Sequence, residues 1–73
     1  MDKLFVKIVS YLRLTGMSDA EIARQAGCHG ATVARIAGGQ MPRYTLGVAL
    51  KDLYEKRLGE YTQALEEINK MRG

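Results

Sequence analysis

Apolar residues recur along the first fifteen positions at helical spacing. Leu4, Phe5, Ile8, Val9 and Leu12 fall on one side, Lys3, Lys7 and Arg13 on the other, and Gly16 stops the run. This predicts a first helix over residues 3–15. Ser18-Asp19-Ala20-Glu21 then has the form of a capping box: the Ser18 hydroxyl accepts from the Glu21 amide while the Glu21 carboxylate reaches back. A second helix is therefore expected from about Asp19. It must be short, because Gly27 follows and can take the left-handed conformation that ends a helix at no steric cost. A third helix is expected from about Gly30 to Ala37, with His29 at its N-cap and Gly38-Gly39 as its stop.

Residues 40–44 read as a loop around Pro42, with Thr45 as the N-cap of a fourth helix. Leu46, Ala49, Leu50 and Leu53 give that helix a core face. Tyr54, Leu58, Tyr61, Leu65 and Ile68 continue it at intervals of four, three, four and three, which is a heptad seam. Gly59 interrupts the seam at about 1 kcal/mol relative to Ala, so a bend or break is expected there. The fold class that follows is all-α: a compact four- or five-helix domain over residues 1–58, then a C-terminal helix over residues 59–73.

Seventy-three residues bury only about 60% of the unfolded chain's surface. A stripe as long as Leu58, Tyr61, Leu65 and Ile68 exceeds what such a core can cover. Those four residues are expected to form a homodimer interface flanked by Glu60, Glu66, Glu67 and Lys70, the alternative being that the tail folds back onto helix one.

The net charge of +3 is unevenly placed: residues 1–44 hold six Lys/Arg against three Asp/Glu, and the remainder holds five of each. Between Glu21 and Asp52 there is no acidic residue, while Arg24, Arg35, Arg43 and Lys51 lie inside that window. Such a region attracts an anion like a phosphate backbone. One cysteine, Cys28, and one histidine, His29, side by side, supply neither a disulfide nor a protein-only metal site, and no nucleophile has a base and an orienting group to go with it. The expectations are therefore no enzyme, no metal, no cofactor and no evident small-molecule ligand. The apolar part of the N-terminus is too short and too interrupted for a signal peptide, and no membrane segment is seen, so a cytoplasmic location is expected.

Within residues 19–38, Ile22, Ala23, Ala26, Gly27, Cys28, Val33 and Ile36 each have a packing reason: a small residue where two helices cross, a glycine for the turn, and wedges that hold the angle. This spacing is that of a helix-turn-helix. With the flanking helices and the continuation "GGQMPRYTLGVALKDLY", the chain resembles the lambda-repressor-like family, the Cro and CI repressor type, over roughly residues 3–58. The resemblance implies a small phage- or plasmid-type regulator that binds double-stranded DNA as a dimer. Its third helix would lie in the major groove, with two such helices about 34 Å apart on a palindromic operator.

Carried over position by position, the resemblance turns His29, Gly30, Ala31, Thr32, Ala34 and Arg35 toward the bases, with Gln40 as a weaker reader, and turns Val33 and Ile36 into the core. Gly30 and Ala31 depart from the usual polar readers. They suit close approach of the backbone and apolar contact with thymine methyls, which leaves Arg35 as the main polar reader, for guanine. Arg35 as a phosphate clamp or as an ion pair with helix two is the alternative. Arg43, Tyr44 and Thr45 at the start of helix four, with Ser18 and Arg24 on helix two, are the expected phosphate contacts, Tyr44 having buried core as its other reading. From another class of function, an antitoxin or antirepressor subunit would use the same helices to bind a protein.

Overall fold

The computed structural model describes residues 3–72, and the described residues are helical and without strands. The helices are α1 (Leu4–Leu14), α2 (Asp19–Ala26), α3 (Gly30–Ala37) and α4 (Tyr44–Arg72). The chain is all-α, a compact helical head followed by one long C-terminal helix.

Local chemistry accounts for the first three. Ile8, Val9 and Leu12 bury the inner face of α1. Ser18 caps α2: the Glu21 amide donates to its hydroxyl at 3.2 Å, and the hydroxyl donates to the Glu21 carboxylate at 3.4 Å. Gly27 ends α2 at φ 81°, and its amide and that of Cys28 both donate to the Ala23 carbonyl. Two residues later His29 stands at the N-cap of α3 through its backbone, its imidazole making no capping bond.

The core consists of Ile8, Val9, Leu12, Met17, Ile22, Ala23, Val33, Ile36, Leu50 and Leu53. α3 rests on α1 and α2, and α4 on the same two helices. Leu12, Ile22, Ile36 and Leu50 are fully enclosed, each contributing about 1.5 to 3 kcal/mol by burial. Met17 was not among the expected core positions. It precedes the Ser18 cap as Ile22 follows it, the two places of a hydrophobic staple, and both are buried.

Two expectations for the last helix are corrected. Thr45 is not its N-cap: α4 starts at Tyr44, and the Arg43 carbonyl takes the first helical bond, from Gly47 at 2.7 Å. The start is decided by docking, because Gly47 is buried where a Cβ would stand 3.0 Å from the Phe5 ring, so the turn from Arg43 to Gly47 is already helical. Nor does Gly59 break the helix, which runs unbroken for 29 residues. A penalty of about 1 kcal/mol is small when Arg57, Leu58 and Glu60 around it are good helix formers and no proline follows.

α1 lies beside the first half of α4 and runs in the same direction. Phe5 meets Gly47, the Tyr11 ring meets Tyr54 edge-on at 5.0 Å, and Arg57 donates to the Thr15 carbonyl at 2.9 Å. α1 stops there and α4 continues. At about 1.5 Å per residue α4 is about 43 Å long, which accounts for the 44 Å long axis of the molecule. From Leu58 to Met71 every residue is exposed, so the tail does not fold back onto α1.

Candidate functional site

The turn between α2 and α3, the outer side of α3, the loop at residues 40–43 and the start of α4 enclose a groove of about 440 Å³. His29, Thr32 and Arg35 line it from the α3 side, and Gln40, Arg43 and Thr45 from the other. Six residues singled out from the sequence as anion or base contacts thus converge on one concavity. Their positions follow from helix phase: Val33 and Ile36 are fully buried, which turns Thr32 and Arg35 outward. The Gln40 amide donates to the Arg35 carbonyl at 3.0 Å, so the loop folds back over the end of α3, where Gly39 takes φ 115°.

The charge around the groove is of one sign. Arg24, Arg35 and Arg43 are exposed and make no ion pair among the described residues. At the rim, the first-turn amides of α4 before Gly47 have no carbonyl within their own helix, and the helix dipole adds positive potential there. An oxygen anion in this groove would meet guanidinium, imidazole, amide and hydroxyl groups, with no carboxylate in the lining. Cys28 also borders the groove, half-buried; burial pushes its thiol pKa up and keeps it protonated.

The remaining expected residues lie around this centre rather than in it. Ala31 and Ala34 are exposed on α3 but outside the groove lining, and open space surrounds the position a Cβ would take at Gly30. Tyr44 is 85% exposed at the head of α4, which overturns its reading as buried core. Arg35 makes no ion pair with α2, so that alternative also falls. Arg24 is exposed on α2 and makes no ion pair among the described residues. The Ser18 hydroxyl is occupied by the α2 cap and stands beside the Glu21 carboxylate. Met41, Pro42 and Leu46 also line the groove, as do Ala26, Gly27 and Ile36, and were not anticipated there; the one signal was Pro42, which marked a bend in the chain at that place.

The other two arginines in the head are committed to structure. Arg13 donates twice to the Asp19 carboxylate at 2.8 Å, tying α1 to the first turn of α2. Those bonds hold the Asp19 carboxyl below its ordinary pKa and raise that of Arg13. Arg57 donates to Thr15 and pairs with Glu60 at 3.6 Å.

Among the described residues no helix is long and apolar enough to cross a membrane. Comparison with protein-family models, curated proteins and solved structures finds no match to this chain.

Proposed function

We propose that the chain is a sequence-specific double-stranded DNA-binding transcriptional regulator, a Cro-like repressor of the lambda-repressor-like family, working in the cytoplasm as a homodimer on a palindromic operator without a cofactor. The observation that carries this reading is the convergence of His29, Thr32, Arg35, Gln40, Arg43 and Thr45 on one groove with unpaired arginines and no acidic lining.

In this reading α3 enters the major groove of DNA. Its eight residues span about 12 Å, comparable with the groove's width of about 12 Å. Gly30, Ala31 and Ala34 let its backbone approach the base edges, where alanine methyls meet thymine methyls. Arg35 pairs with guanine, with Thr32, His29 and Gln40 as secondary readers. Arg43, Tyr44 and Thr45, with the free amides of α4, hold a phosphate, and Arg24 holds the strand beyond α2, where the Ser18 hydroxyl is already taken by the α2 cap. One α3 carries few polar readers, so two copies on half-sites about 10 base pairs apart would supply the selectivity.

The test is a titration of the purified chain with random and selected duplexes over a range of salt. The reading expects enrichment of a palindromic sequence and a linear fall of log affinity with log salt, at about 0.9 per phosphate neutralised. No binding to any duplex at low salt would overturn it and favour the protein-interaction subunit instead.

A further inference from the structure

We infer that a second copy of this chain pairs with the first through antiparallel α4 tails, each tail's last turn filling the cleft at the end of the other copy's α1. This deepens the homodimer invoked above, but it is argued and tested without DNA.

The face of α4 that packs on the head does not end where the head ends. Tyr54 and Arg57 hold Tyr11 and Thr15 of α1, and Leu58, Tyr61, Leu65 and Ile68 continue the same face at helical spacing with nothing over it. Where α1 stops, a cleft of about 540 Å³ opens between the two helices, lined by Tyr11, Leu14, Thr15, Arg57, Glu60 and Tyr61. Leu14, on its edge, is 86% exposed. Cleft and stripe adjoin at Tyr61, which belongs to both.

Its size fits a second copy. Taking roughly 200 Å² for a large side chain, the exposed fractions of Leu14, Leu58, Tyr61, Leu65, Ile68 and Met71 leave roughly 700 Å² of such surface per copy. A standard interface takes about 800 Å² from each partner.

The head decides the direction. α1 occupies the seam face of α4 up to Arg57, so parallel tails would drive two α1 helices into the same space just below the seam and force the helices to splay. Antiparallel tails bring only the last turn of one helix against the end of the other copy's α1. Centred on Gln63, they set Leu58 against Ile68 and Tyr61 against Leu65 of the other copy, each pairing made twice. Beside the seam, Thr62 and Ala64 meet their own counterparts, small enough for close approach, and Glu55 faces Asn69 with no like charge opposed. Met71 then reaches the level of Glu55 and Arg57, next to the cleft and Leu14.

Spin labels test the geometry. The outward positions Lys56, Gln63 and Lys70 are changed one at a time to Cys in a Cys28→Ala chain, and label separations within the assembly are measured. With 1.5 Å of rise per residue and axes 8–10 Å apart, the antiparallel pair gives its shortest separation at Gln63 and separations on the order of 10 Å longer at both Lys56 and Lys70. Equal separations at all three positions mean parallel tails and overturn the proposal. Sedimentation of the unmodified chain provides a second reading: a dimer is expected, and Leu65→Asp, on an exposed residue, should give a monomer that keeps its helical fold and melts below the parent dimer. A chain that stays monomeric at its highest soluble concentration, or a Leu65→Asp chain that stays dimeric, also overturns it. A monomer that still binds duplex DNA would refute the pairing and leave the DNA reading standing; a dimer indifferent to DNA would do the reverse.

Discussion

Two concavities among the described residues border α4, one at its start and the other about 20 Å further along, and they treat arginine in opposite ways. In the groove, Arg35 and Arg43 extend into solvent with no partner among the described residues. In the cleft, Arg57 is held by the Thr15 carbonyl, the Thr15 hydroxyl and Glu60 among apolar neighbours. A cation already satisfied within its own chain has little left to offer an anion. An unpaired one in a region without carboxylates gains most when an anion arrives. The difference separates a surface suited to a charged polymer from one suited to another helix, though both lie on one element.

The largest expected effect that sharpens this contrast is at Arg35. Arg35→Ala should weaken binding to the selected duplex by about 1 to 3 kcal/mol, with non-specific binding and the thermal melt nearly unchanged. Equal losses on matched and scrambled duplexes in an anisotropy titration would make Arg35 a phosphate contact instead.

Arg57→Ala should reverse the pattern. Removing the donor leaves the Thr15 carbonyl unpaired at the end of α1, so stability should fall by about 1 kcal/mol, or about 4 to 8 °C in Tm for a domain of this size. Affinity for DNA per folded molecule should stay the same. A melt equal to the parent's would show that Arg57 does not pin α4 to α1.

A smaller effect is expected from Arg43→Ala, a loss shared by all sequences and a salt slope shallower by about one unit. An unchanged slope would take Arg43 off the phosphate list and narrow the groove's role to Arg35.

The smallest concerns the paired arginine on the far side of the head. The carboxyl of Asp19 is held below its ordinary value by bonds from Arg13. Its contribution is therefore fully present above the unfolded pKa near 3.9 and is lost as pH falls through the lower folded value. The pair is partly exposed, so the contribution is well under 1 kcal/mol. Melts of the parent and of Asp19→Asn should differ slightly at pH 7 and converge in strong acid; a gap that widens toward acid would refute the assignment.

Much of this was legible in the linear chain because the signals were local. The Ser18 cap needs only Glu21 three residues on, the stop of α2 needs only a glycine free to adopt positive φ, and helical periodicity alone marks Ile22, Val33 and Ile36 as inward. The stripe from Leu58 to Ile68 was equally visible, since it requires nothing but spacing. The groove residues were named from position in a pattern, and the glycine end of α3 that turns Gln40 back is local too, but their convergence depends on where the docking of α4 against α1 and α2 puts Arg43 and Thr45. The start of α4 was misread because a threonine is a fair cap anywhere, whereas Gly47 against Phe5, 42 positions apart, placed the helix. Gly59 does not break α4 because its small local penalty is outweighed by a whole helix of 29 residues. Arg57 passed unnoticed for the same reason as Gly47. Its partner Thr15 lies 42 residues away in sequence, and only once α1 lies along α4 does an arginine on the helix surface become the bond that ends one helix and leaves the rest of the other uncovered.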